Sequence, residues 1–204
     1  MPGRFFLERS APELTKAVGG GDWQSDYAPR RNIAPGQNIL TCTDQGPKWM
    51  RWGMIPVGRK NARGRPVMET ITNARSETVF DKSAFDGVRR CVVPADGWYE
   101  WTGAARRKTA WRIAPRDQEL LYFAAIFDVW SGPGGIEVPQ VATVTCAPSA
   151  DVKDIHHRMG VLLSATDVPQ WLGPDMEQAA ALMRPWPDGR LDVRSADDVN
   201  WDAA

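Results

Sequence analysis

The stretch Arg90-Cys91-Val92-Val93-Pro94-Ala95-Asp96-Gly97-Trp98-Tyr99-Glu100-Trp101 carries two short runs rich in β-branched and aromatic residues, separated by a proline and a glycine. Runs of this kind, bounded by residues that interrupt regular structure, predict strands over Arg90–Val93 and Trp98–Trp101. Working outward, the same signature predicts strands over Asn38–Thr43, Trp49–Met54, Ala110–Ala114, Leu120–Ile126, Gln140–Thr145 and Val161–Leu163. Helical patterns are fewer. They cover Pro12–Val18, with Ser10 as a cap and Pro12 near the first turn, then Lys82–Phe85, Ala150–Ile155, Thr166–Leu172 and Asp175–Met183. Helices that interrupt the strands without alternating with them predict an α+β fold, with a curved, barrel-like, mostly antiparallel β core and a few short helices.

The chain has 204 residues, enough for one domain with a substantial core, and one domain over residues 1–204 is expected. It holds no run of about eighteen apolar residues and no secretory signal pattern at its start, which predicts a soluble, intracellular protein with no membrane association. Cys42, Cys91 and Cys146 are odd in number, widely spaced and set in apolar runs, as suits buried reduced thiols rather than disulfides or a metal cage; no metal is expected. Net charge is zero, yet residues 1–116 hold 20 Lys and Arg against 11 Asp and Glu, while residues 117–204 hold 5 against 14. The asymmetry fits one electropositive face, or two halves that mix in space and cancel. Arginine makes up 19 of the 25 basic residues, and its planar fork binds phosphate in a bidentate manner. The segment Gly58–Pro66 is basic, glycine-rich and aperiodic, which reads as an exposed loop, either simply solvated or lying along a phosphate backbone.

Five islands combine polar groups with aromatics and glycines: Met1–Phe5, Arg31–Gly36, Asn73–Thr78, Pro94–Trp101 and Asp154–Met159. Glu100 lies between ring systems. If partly desolvated there it favours its neutral form and suits acid–base work; alone, it reads rather as an outward-facing strand glutamate. His156 and His157 are the only histidines. One of them, near a glutamate, can pass protons close to neutral pH, and alone the pair also reads as a surface or capping feature. Asn73 and Arg75, two apart on a strand, would face the same side and offer an amide and a guanidinium to one substrate, or else form a turn asparagine and a surface arginine.

Taken together and in order, these islands resemble the SRAP family (SOS response-associated peptidase). Its mature proteins begin Cys-Gly-Arg-Phe and carry motifs to which Gly3 to Phe5, Asn32 to Pro35, Arg51 to Pro56, Asn73 to Thr78, Arg90 to Trp101 and Ile155 to Met159 correspond, with Val193 to Asn200 similar to the closing motif. The resemblance spans nearly the whole chain. It implies a curved β core with a groove for single-stranded DNA, and a site where the amine of residue 2 meets the aldehyde of an abasic deoxyribose. Carried over residue by residue, it implies Glu100 as acid–base, His156 as the residue that helps open the sugar ring, Asn73 as an orienting amide, and Arg4 and Arg75 as phosphate or backbone contacts to the DNA. Asn32, Pro35, Trp52 and Thr145 would line the groove, although Trp52 also reads as core packing.

The departures matter for the chemistry. Residue 2 is Pro2 where the family has cysteine, so no thiol is available to close a thiazolidine ring. With Met1 removed, the proline nitrogen is a terminal secondary amine, and α-amino groups ionise at roughly 7.7–8.0, leaving a useful neutral fraction. His157 stands where the family is usually acidic, Gly160 where it has proline, and Val57–Lys60 where it often carries a tryptophan. The expected activity is therefore Schiff-base reaction of Pro2 with abasic sites in single-stranded DNA, a transient crosslink with possible lyase cleavage, in the DNA damage response. It needs no cofactor. The expected actor is a monomer in the cytoplasm, at the nucleoid when bound to DNA. The alternatives are a binding module that has lost the covalent step, and an N-terminal autopeptidase.

Overall fold

The computed structural model describes residues 3–55, 63, 70–81, 85–104 and 107–202. The strands among them form two sheets. The first contains β1 (Arg4–Leu7), β2 (Arg30–Ile33), β7 (Gly97–Thr102), β8 (Thr109–Pro115) and β13 (Leu191–Ser195), in the order β13-β8-β7-β1-β2 with every pairing antiparallel. The second contains β3 (Asn38–Thr43), β4 (Gly46–Trp52), β5 (Asn73–Arg75), β6 (Arg89–Ala95), β9 (Leu121–Ser131), β10 (Glu137–Cys146), β11 (Met159–Gly160) and β12 (Leu162–Leu163). Within it β10, β4, β3, β6 and β9 pair in sequence, and β9 pairs back to β10, which makes this sheet ring-like. Only β10–β4 and β10–β5 are parallel among the described pairings. With three short helices, α1 (Ala11–Val18), α2 (Val168–Leu172) and α3 (Met176–Ala181), this is the expected α+β architecture.

Side-chain alternation explains how the sheets pack. On β1, Phe5 and Leu7 enter the main core while Phe6 joins a separate small cluster on the other face with Tyr99, Ala110, Ala114 and Ala196. In the main core Phe5 meets Trp52 edge-on at 5.2 Å, and Trp98 meets Phe123 at 5.9 Å. The central strand β9 is buried over Leu121–Phe127 on both faces, which accounts for a nearly continuous apolar run rather than an alternating one. Gly97 is required where β1, β7 and β8 meet. Its φ is 158°, and a Cβ there would run into the Ile113 carbonyl oxygen and the Phe6 ring.

The predicted strand Asn38–Thr43 has the bounds of β3, and Ser10 caps α1, its N–H donating to Glu13 at 2.8 Å. Two differences follow from physical causes. Ala150–Ile155 is a series of turns, not a helix: Ser149 O accepts from Val152 and Lys153, Val152 O accepts from Ile155 and His156, and the two turns are too short a run to offset helix nucleation. The strands β2 and β13 each carry two charged residues, too many to read as strands locally, and are made by their neighbours, β13 running along β8 over five residue pairs; β1 is only four residues long, Arg4-Phe5-Phe6-Leu7. Gly58–Pro66, apart from Arg63, and Lys82–Ala84 lie outside the described residues. Cys42, Cys91 and Cys146 are free and buried, and burial pushes Cys42 up to about 12 and Cys146 to about 11. Among the described residues no helix is long and apolar enough to cross a membrane.

Candidate active site

Glu100 shares a face of β7 with Trp98, and that face is turned to the core, so the carboxyl residue is only 4% exposed. Burial pushes its titration up, because desolvation disfavours the charged form. A carboxyl held in this way remains an acid at a pH where an exposed glutamate has already lost its proton. The register Arg4↔Tyr99 sets the start of β1 beside the residue that precedes Glu100. The positive charge at the chain's amino terminus opposes the effect of burial at Glu100, and it also acts on His156. A carboxyl on the first sheet and an imidazole in the turn before β11 are thus both subject to the charge at the amino terminus.

His156 is positioned by its own turn. Its N–H donates to Val152 O at 2.9 Å, Val152 is buried, and Met159 anchors the far side through the Ser149 N–H at 3.2 Å. Burial moves the His156 titration down, keeping the ring neutral in more acid solution. The next link is Arg158, whose guanidinium grips both Glu77 oxygens at 2.5 and 2.8 Å and donates to Thr145 O at 2.6 Å. This bidentate contact draws Glu77 down to about 2 and ties the His156 turn to the Asn73–Thr78 island. Asn73 stands on β5, opposite Thr143 of β10. Its Oδ1 accepts from the Thr143 hydroxyl at 2.6 Å and its Nδ2 donates to Thr72 Oγ1 at 3.1 Å, which fixes the amide's orientation.

The other expected site residues fall in different places. Arg75 is exposed at the end of β5, and Pro35 is exposed in the turn after β2. Thr145 is buried, its hydroxyl donating to Ala74 O at 3.1 Å, and it joins β5 to β10. Trp52 is fully buried and its Nε1 donates to Thr72 O at 3.0 Å, which makes it a core side chain rather than a groove surface. Arg4 and Asn32 bond to each other at 2.5 Å and both reach the carbonyl of Trp201, at 3.3 and 3.0 Å, so in this structure they fasten the C-terminal segment. Pro2 lies outside the described residues. Sequence reasoning assigned no role to Thr143, Glu77 or Arg158; the last two stood inside quoted islands, and Thr143 was marked only by being polar in an apolar run. Among the described residues no three His, Cys, Asp or Glu side chains are grouped to hold a metal ion.

Two largely antiparallel sheets, the first carrying a buried carboxyl and the second an oriented amide with an imidazole in the turn before β11, define the class: an α+β domain. The chain belongs to the SRAP family, whose model, described as SOS response associated peptidase (SRAP), matches residues 1–200. It is 32% identical over 199 residues to the abasic site processing protein YoqW of Bacillus subtilis, covering 91% of this chain and 88% of that one. It is 32% identical over 163 residues to the abasic site processing protein HMCES of Gallus gallus, covering 67% of this chain and 48% of that one. A solved structure from Bacteroides thetaiotaomicron matches with a TM-score of 0.81 at 21% identity, over 95% of this chain and 91% of that one, a likeness of fold.

Proposed function

We propose that this protein processes abasic sites in single-stranded DNA through the terminal amine of Pro2. The observation that carries the reading is Glu100, a carboxyl on the strand paired with the start of β1 that burial pushes toward its protonated form, together with His156, whose ring burial pushes toward its neutral form. The names of the relatives YoqW and HMCES point to the same substrate. With Met1 removed, the proline nitrogen adds to the aldehyde carbon of the opened deoxyribose, and its proton passes through His156 to the aldehyde oxygen. Glu100 gives that oxygen a second proton; water leaves as the nitrogen pair forms the iminium bond.

The iminium has no neighbouring thiol to close a ring. It acts as an electron sink, so the Glu100 carboxylate removes a proton from the adjacent sugar carbon, a carbon–carbon double bond forms and the 3′ phosphate departs. Water then releases the amine. Asn73 orients the sugar, and Arg75, exposed at the rim, contacts the strand. The test is borohydride trapping on a single-stranded abasic oligonucleotide, after mass analysis has verified a Pro2 terminus. A covalent adduct is expected, and it should vanish when that amine is acetylated. Absence of any adduct from the verified, unmodified protein defeats the proposal.

A further inference from the structure

The surroundings of His156 contain a feature that the proposed reaction does not use. The His157 ring, exposed on the surface, stacks on His156 with centroids 4.4 Å apart and planes inclined by 24°. At that spacing two imidazolium charges repel appreciably even where solvent screens them, so the two rings resist being protonated together. One edge of His156 has a backbone partner in either charge state, the contact with Arg158 favouring the protonated ring while burial favours the neutral one. Its Nδ1 lies 3.0 Å from the Arg158 N–H and 3.0 Å from the Arg158 carbonyl oxygen. A bare Nδ1 accepts from the former and a protonated Nδ1 donates to the latter, so the ring keeps its place as the proton moves and Nε2 can give or take one.

The charged groups acting on His156 are the amino terminus and His157, while the Arg158 guanidinium beside it is engaged by Glu77. We propose that His157 is a positioning residue for His156: by stacking on it and opposing a second positive charge, it keeps His156 a proton acceptor in more acid solution than an imidazole without that neighbour. The consequence for the reaction rests on the reading of His156 as a proton carrier at an abasic site. The coupling itself does not.

Two measurements separate them. Histidine resonances of the full chain are followed through an NMR pH titration for the parent, His157→Gln and His157→Asp. The His156 midpoint is expected to rise by about one pH unit in His157→Asp, where repulsion gives way to attraction, and by roughly half that in His157→Gln. An unchanged midpoint in both variants overturns the proposal. The rate of borohydride-trapped adduct formation is then measured against pH, and its acid limb is expected to move with the midpoint. A limb that stays in place while the midpoint moves overturns the link between this proton and the reaction. A parent that forms no adduct at any pH defeats the proposed function, while the titration still decides the coupling.

Discussion

Two polar regions on opposite faces of the first sheet differ in how their charges are settled. A cleft of about 770 Å³ lies over the outer face and is lined by five arginines, at 9, 31, 112, 116 and 194, and five carboxylates, at 8, 13, 96, 192 and 198. Its charges are matched in place: Arg9 holds Asp96 at 2.7 Å, Arg31 holds Glu8 at 2.9 Å, and Arg112 lies over the Phe6 ring at 4.2 Å. On the inner face a single carboxyl, Glu100, is desolvated strongly enough that burial outweighs the charge opposing it. The cleft is thus a surface ion-pair network, and the chemically loaded group is where desolvation exceeds compensation.

The sharpest test of that contrast is Glu100→Gln, which keeps shape and loses the exchangeable proton. Trapping on abasic DNA should fall by about 100-fold or more, the usual weight of a general acid–base group. Stability should move the other way. The folded carboxyl titrates above its ordinary value of 4.5, so its burial costs nothing below about 4.5, where both states are protonated; the cost grows as pH rises from there and is complete once pH has passed the folded value. In denaturant unfolding Glu100→Gln should be more stable than the parent near about pH 8 and equal to it near about pH 3. A variant less stable than the parent at the higher pH would put Glu100 among the matched charges and erase the distinction.

A smaller effect is expected between the two faces. Trp201 packs edge-on against Tyr99 at 4.9 Å and tilted against Trp101 at 5.2 Å, and its carbonyl receives Arg4 and Asn32. This C-terminal segment holds the outer face of the strand whose inner face carries Glu100, and it holds the start of β1. Trp201→Ala should cost about 1–3 kcal/mol in urea unfolding, less than a fully buried tryptophan because the ring is half-exposed. Trapping should slow several-fold through the chemical step, with little change in half-saturation. If DNA affinity falls and the trapping rate does not, the segment belongs to the binding surface instead.

What was legible in the sequence was whatever local pattern decides. Val, Trp and Tyr on either side of a Pro/Gly break gave β6 and β7, whereas the aromatic flanks of Glu100, Tyr99 and Trp101, lie on the opposite face, and its desolvation comes from the core face it shares with Trp98. Partners distant in the chain left no such trace. Arg4 and Asn32 read as DNA contacts because nothing near them reveals that the carbonyl of Trp201, 197 and 169 residues away, takes up their donors. Trp52 follows from alternation only once its neighbours are known: Met50 and Trp52 both face inward from β4 and both are buried. The turn before His156 reads as a helix from its composition, whereas Val152 and Met159 draw it into the core.

The smallest effect is expected in the cleft itself. Arg194 pairs with Asp192, and its side chain is 71% exposed, so screening leaves the pair little net worth. Arg194→Ala should shift unfolding by less than about 0.5 kcal/mol. It should also leave adduct formation within about twofold at low and at moderate salt, because a guanidinium already matched to a carboxylate has few counterions to release from a phosphate strand. A marked loss of DNA affinity that grows as salt is lowered would mean that the ion pairs open to receive the strand. The outer face would then be the DNA path, the matched charges a closed state of it, and the contrast between the two faces would become one of timing rather than of role.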